Sequence, residues 1–342
     1  MQTLSSVPAK LILSGEHAVV YNSSALSMAL ELYTQCKCDF QSSQTHSLTI
    51  ELTNFQQKYS FPFAVWQNLA SHIEARYTSF SDGNLSIQGV LVQPVDLILD
   101  TLYHFNNFHT IKHGEWFFTI DSDIPIGKGL GSSAAIIIAL LTTLFKHHGL
   151  ALDKDTLLAL ARKVESRQHG RSSGIDPATI LYGGLLEFHA KNTTKKLKEH
   201  AFKAWLVDTG MPDSSTGQAV DYVRKKYSDD QALWDKFSKT TRQIIHAWSY
   251  QDSQKLYQYI DENEALLEQI GVVPEKVKQF IDRLKKELGG SAKVCGSGSV
   301  KGSHAGVLVC FSEQEPIELC KEFGYQIQRV KIDHQGATCK IL

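Results

Sequence analysis

Apolar and polar positions alternate with period two over Cys36–Phe40 and over Ser47–Thr53 (SLTIELT), and an apolar run opens at Lys10–Ser14 (KLILS). Together they predict an antiparallel sheet early in the chain. Trp116–Asp121 (WFFTID) predicts another strand, leading into a turn at Ile124-Pro125-Ile126-Gly127. The period then changes. Ser132–Phe145 is apolar almost throughout and predicts a buried helix starting directly after Gly131, with Ser132 in the capping position. From Asp155 onward, Leu157, Leu158, Leu160, Ala161 and Val164 share one helical face and Gly170 marks the end, so Glu165 falls in the last turns of that helix. Leu185–His189 reads as a strand.

Residues 191–203 (KNTTKKLKEHAFK) are polar and basic, and this shift of composition reads as a solvated connector. Strand Ala204–Asp208 and several helices follow. The last helix starts at Pro274, shows the face Val277, Phe280, Ile281, Leu284 and Leu288, and stops at Gly289. Strands Val307–Phe311 and Ile327–Ile332 flank a short helix after Pro316. The chain of 342 residues exceeds what one hydrophobic core usually serves. Two α+β domains are therefore expected, 1–190 and 191–342, with a ligand cleft between them.

Charge removes several function classes. Lys and Arg total 35 against 36 Asp and Glu, a formal net charge of −1 without long like-charge blocks, which argues against a nucleic-acid partner. The best apolar run, Ala134–Phe145, is too short to span a bilayer, and no apolar segment follows a charged start as in a secretion signal. Six cysteines without a C-x-x-C pair fit neither a disulfide scaffold nor a cysteine zinc site, and suit a reducing cytoplasm.

Four segments carry candidate chemistry. In Pro125-Ile126-Gly127-Lys128-Gly129-Leu130-Gly131-Ser132-Ser133-Ala134-Ala135, three alternate glycines let backbone approach a ligand, and the following helix offers unpaired N–H groups and its positive dipole end. Such a site wants an anion, and Ser132 and Ser133 add hydroxyls for phosphate or Mg²⁺. The spacing is neither a Walker loop nor a dinucleotide fingerprint, and a glycine-rich turn capping a core helix is the plainer alternative. The second segment, Cys295-Gly296-Ser297-Gly298-Ser299-Val300-Lys301-Gly302, lies between two strands and alone reads equally as a hairpin or loop. The third runs from Glu165 through His169-Gly170-Arg171-Ser172-Ser173-Gly174-Ile175-Asp176; Glu165 on a helix would hold a metal and Asp176 on a loop would take a proton, or both are surface charges. The fourth, Pro8–Tyr21, places Lys10 in an apolar strand, where burial demands an anionic partner unless the lysine snorkels from an edge.

Taken together, these segments resemble the GHMP kinases. GEHAVVY (Gly15–Tyr21), IPIGKGLGSSAA (Ile124–Ala135) and the HG-x-x-SGID segment (His169–Asp176) look most like its mevalonate kinase branch, over residues 8 to 311. The resemblance implies a two-domain α+β fold, with an N-terminal ribosomal-protein-S5-like domain and a C-terminal ferredoxin-like domain. It implies transfer of the γ-phosphoryl of ATP to the primary alcohol of mevalonate, with Mg²⁺; phosphomevalonate kinase or another small-molecule GHMP kinase is the alternative, and a non-catalytic nucleotide sensor a more remote one. A homodimer stays open. By the same resemblance, Asp176 is the catalytic aspartate and Lys10 the lysine beside it. Gly127, Lys128, Gly129, Leu130, Gly131, Ser132, Ser133 and Ala134 form the nucleotide loop, Ser133 and Glu165 are the metal ligands, and Glu16, His17 and Thr209 lie near the substrate. The chain departs from the family pattern in three places: Ser299, Val300 and Lys301 replace glycines, Ser172 replaces a proline, and Asn22-Ser23-Ser24 replaces a glycine-containing turn.

Overall fold

A computed structural model describes residues 1–21, 23–189 and 193–342. In chain order, the first part comprises β1 (Gln2–Ser14), β2 (Ala25–Gln41), β3 (Ser47–Leu52), β4 (Gln57–Pro62), α1 (Phe63–Ser81), α2 (Asp96–Phe108), β5 (Glu115–Ser122), α3 (Ser132–His148), α4 (Lys154–His169), α5 (Ile175–Tyr182), β6 (Leu185–Phe188) and β7 (Thr194–Leu197). The second comprises β8 (Ala204–Asp208), α6 (Thr216–Tyr227), α7 (Gln231–Ser249), α8 (Ser253–Gln269), α9 (Glu275–Leu288), β9 (Ser291–Val294), β10 (Val307–Phe311), α10 (Ile317–Phe323), β11 (Gln326–Arg329) and β12 (Thr338–Ile341).

Two sheets organise these elements. The first runs β12-β1-β2-β5-β3-β4, with β6 on β2 and β7 on β6; only β3 and β5 pair in parallel. The second runs β11-β8-β10-β9, antiparallel throughout. Numbered within its own four strands, that order is 4-1-3-2, the arrangement of a split β-α-β ferredoxin-like unit. Two apolar cores fill the molecule. The larger gathers β1, β2, β5 and helices α2 to α4 around Leu11, Phe118 and Leu140 and continues onto the second sheet through Leu206, Val309 and Phe311; the other gathers α7, α9 and the alternate positions Val207, Leu308 and Cys310 of that sheet around Trp234 and Phe280.

Burial explains why some elements announce themselves in sequence. Strand β1 alternates only in its first residues, and from Val7 on every position is buried because helices α3 and α5 pack on it. A continuous apolar stretch results, as in strands covered on both faces. Helix α3 buries twelve of its residues, which removes any polar stripe. By contrast α1 buries only Trp66, Ala70 and Ile73 while Val65 and Leu69 stay exposed, so its pattern is blurred.

Several expectations are corrected. Ser132 is the first helical residue of α3; the cap is Gly131 in a left-handed conformation, without a side-chain bond. Asp176 lies in the first turn of α5, not on a loop. Within the stretch expected as a connector, Thr194–Leu197 form a strand antiparallel to β6. The division expected between residues 190 and 191 falls outside the described residues, as does Asn22. Beyond it, β7 and the last strand, β12, hydrogen-bond into the first sheet.

Candidate active site

Lys10 sits in the fully covered half of β1, its side chain 4% exposed, and its Nζ lies 2.9 Å from Asp176 Oδ1. A buried ammonium needs such an anion, since an unpaired charge out of water is costly. The Lys10 amide also donates to Leu130 O at 3.0 Å, which stitches β1 to the glycine loop. The Asp176 carboxylate is more open, 22% exposed, and faces the same cleft.

The loop ahead of α3 is built for close approach. Gly129 and Gly131 take φ of +85° and +77°. A Cβ on Gly131 would stand 2.7 Å from Lys10 Cγ, and one on Gly129 3.0 Å from Cys295 O, so the first glycine segment lies against the second. The first amide bond into α3 is Ala135 N to Gly131 O at 2.9 Å. The amides before it lack intrahelical acceptors and form the positive end of the helix dipole, an arrangement that suits an anion. Because Gly131 caps the helix, the Ser132 hydroxyl is not spent on capping, and Ser132 and Ser133 both line the cleft.

Glu165, near the end of α4, is buried at 5% exposure beside Asp176 and Lys10. Burial, then the Asp176 charge, pushes its carboxyl well above the ordinary range. Ser172 donates its hydroxyl to Glu165 Oε2 and accepts from Gly174 N at 3.1 Å. The proline expected at this position could not make that bond. A buried carboxylate whose charge is opposed by its surroundings, next to serine hydroxyls and a second carboxylate, suits a hard divalent cation with oxygen ligands.

On the opposite wall, Glu16 and His17 follow β1. His17 donates Nε2–H to Ser297 O at 3.2 Å, since a carbonyl only accepts, which leaves Nδ1 as an acceptor. Burial holds its pKa below the usual imidazole value. Glu16 is ion-paired with Lys293 of β9, both almost fully buried at 2% and 0% exposure. The sequence reading missed Lys293, although its signal, a lysine inside an apolar strand, is the one that singled out Lys10. Glu264 of α8 joins this knot by accepting from Val294 N at 2.9 Å, and burial pushes its carboxyl up to about 8.

The cleft measures about 620 Å³. It brings together Lys10, Glu16, His17, Gly127, Gly129, Leu130, Gly131, Ser132, Ser133, Glu165 and Asp176 of the expected residues, and adds Arg171, Ser172 and Ser297. Three others lie off its lining. Lys128 is ion-paired with Asp208, Ala134 is buried in α3, and the Thr209 hydroxyl is taken by Gly306 O at 2.8 Å and Ala305 N at 3.0 Å. The departures in the second glycine segment turn away from the cleft. Ser299 is buried against Ser214 at 3.0 Å and Val300 packs on the second core, so only Gly296 and Ser297 reach the cleft wall.

Residues 96–184 match the description GHMP kinases N terminal domain. The mevalonate kinase of Thermococcus sibiricus is 26% identical to this chain over 317 residues, covering 87% of each protein. That of Schizosaccharomyces pombe is 28% identical, covering 93% of this chain and 85% of its own. Among solved structures, the Methanococcus jannaschii mevalonate kinase superposes with a TM-score of 0.77 at 22% identity, over 96% of this chain and 98% of that one, a likeness of fold. Among the described residues, no helix is long and apolar enough to cross a membrane. Residues 96–184 thus match a GHMP kinase domain, and over most of its length the chain is similar in sequence to mevalonate kinases and similar to one of them in fold.

Proposed function

We propose that the chain is a mevalonate kinase, transferring the γ-phosphoryl of ATP to the primary alcohol of mevalonate. The observation that carries this reading is the Lys10–Asp176 pair at 2.9 Å, set in one cleft with the free amides of α3. Phosphoryl transfer asks the protein mainly for in-line positioning and for positive charge around the transferring oxygens. The amides ahead of Ser132 would receive the triphosphate, and the apolar side chains of Ile87, Leu91 and Leu97 in the same cleft offer a face for a base. Asp176 would accept the proton of the alcohol, a general-base contribution of roughly 10²- to 10⁴-fold. Lys10 would hold the Asp176 carboxylate toward the cleft and add positive charge beside the acceptor.

Glu165 and Ser133 would hold Mg²⁺, which supplies charge neutralisation on the phosphate oxygens. Ser172 would keep the Glu165 carboxylate oriented. His17, with Nε2–H committed to Ser297, presents Nδ1 as an acceptor for a substrate hydroxyl. Of the lysine and arginine side chains lining the cleft, Lys10 is engaged with Asp176 and Arg171 remains. One such cation suits the single carboxylate of mevalonate better than an acceptor carrying an additional phosphate. The six unpaired cysteines support a reducing compartment such as the cytoplasm.

The test is chromatographic detection of phosphorylated product from mevalonate, phosphomevalonate, homoserine and galactose with ATP and Mg²⁺. Turnover of mevalonate above the other three is expected. Turnover of another alcohol with none of mevalonate would overturn the substrate assignment.

A further inference from the structure

Away from the cleft, α1, α2 and α4 bring ligating side chains to one spot. Asp100 and His104 lie one turn apart on α2, Glu74 comes from α1 and Arg167 from α4. The Asp100 side chain is fully buried, and neither of its carboxylate oxygens has a hydrogen-bond partner. The His104 side chain is 9% exposed and its Nε2 is likewise unpartnered. That nitrogen stands 3.5 Å from Glu74 Oε1 and 3.6 Å from Asp100 Oδ1. One ligand atom from each of the three residues lies within 4.8 Å of the others.

A shared proton and a shared metal ion predict different spacings. An imidazolium between two carboxylates draws its N–H···O contacts to about 2.7–2.9 Å. Bonds of about 2.0–2.2 Å to a tetrahedral zinc ion instead put neighbouring ligand atoms about 3.4 Å apart. The observed separations of 3.5 and 3.6 Å match the tetrahedral edge. Arg167 grips Glu74 with two bonds of 2.9 Å, while its Nε comes no nearer than 4.0 Å to Asp100. The guanidinium thus compensates Glu74 and leaves Asp100 the poorly compensated charge.

We propose that Glu74, Asp100 and His104 form a site for one tetrahedral divalent transition-metal ion, Zn²⁺ by donor chemistry, with a fourth position for water. One imidazole with two carboxylates suits zinc, whereas Mg²⁺ and Ca²⁺ ask for all-oxygen shells. Arg167 then orients the Glu74 ligand, as hydrogen-bonded partners of metal-binding carboxylates do. None of the three ligands lines the cleft, so the site stands or falls apart from the kinase assignment.

Cobalt is the spectroscopic probe. Full-length protein stripped with EDTA is expected to take up one equivalent of Co²⁺ with the intense visible absorption of a four-coordinate ion, to release it to Zn²⁺, and to gain thermal stability with Zn²⁺ in the wild type and in Glu165→Gln but not in His104→Gln. Asp100→Asn and His104→Gln should each weaken uptake by ~10-fold or more, while Glu165→Gln in the cleft leaves it unchanged. Should Asp100→Asn fail to fold, His104→Gln reads the same loss. No uptake by the wild-type protein at millimolar Co²⁺, uptake unchanged in His104→Gln, or uptake abolished in Glu165→Gln would each overturn the proposal.

Discussion

Two buried lysines, one in each sheet, meet carboxylates in settings that differ by a single property. Lys10 of β1 faces an Asp176 that is 22% exposed and lines the cleft, whereas Lys293 of β9 faces a Glu16 that is 2% exposed. Both pairs join distant stretches of chain. Only the first leaves its carboxylate open to a ligand along with the amides of α3. The second closes over its partner, donates also to Val294 O at 2.6 Å, and ties the turn after β1 to the second sheet. On the proposed assignment the same chemistry would serve reaction in one place and cohesion in the other, with access to the carboxylate separating the two.

Removing each pair should therefore fail differently. Asp176→Asn is expected to lower kcat by roughly 10²- to 10⁴-fold with nucleotide binding near wild type, and to lose less stability in urea than removal of the second pair, because the neighbouring Glu165 carboxyl stays beside Lys10. Lys293→Met should instead cost about 3–5 kcal/mol of stability, because a buried Glu16 is left unpaired. The double variant Lys293→Met/Glu16→Gln should recover most of that loss in the same urea titration. If Lys293→Met unfolded like wild type and lost only turnover, the contrast between the pairs would be gone.

Smaller effects sharpen the cleft side. Ser172→Ala removes the hydroxyl held by Glu165 and should raise the Mg²⁺ concentration for half-maximal rate by ~10-fold or more, with KM for the alcohol little changed. The pH dependence follows from two raised carboxyls. Glu165 and Glu264 are both pushed to about 8 in the folded chain from an ordinary value of 4.5. Between those values the folded state retains protons that the unfolded state has released. Stability of the ligand-free protein should consequently fall as pH rises across that window, seen in thermal melts. On the proposed assignment Mg²⁺ would bind the ionised form of Glu165, so its stabilising effect should grow over the same range and disappear in Glu165→Gln.

Local signals carried the sequence reading far where one physical demand dominates. Strands β8 and β10 follow from short apolar runs, α9 from a clean face ended by Gly289, and the start of α3 from alternating glycines before an apolar stretch. Lys10 and Asp176 are sequence neighbours of nothing they touch, so the family likeness, not periodicity, linked them. What escaped depends on long-range pairing. Strand β12 joins β1 from the far end of the chain, and Lys128 finds Asp208 across the two sheets. The polar stretch holding β7 looked solvated because an edge strand exposes its side chains. Ser172, marked by sequence only as a departure from the family pattern, holds the Glu165 carboxylate through a bond that only its hydroxyl can make.

The most direct measurement is a crystal structure of the protein with a nonhydrolysable ATP analogue, Mg²⁺ and mevalonate. The terminal phosphate is expected against the amides ahead of Ser132, with the Asp176 carboxylate hydrogen-bonded to the acceptor hydroxyl on its far side. A triphosphate bound elsewhere, or Asp176 turned out into solvent with the alcohol out of its reach, would contradict it.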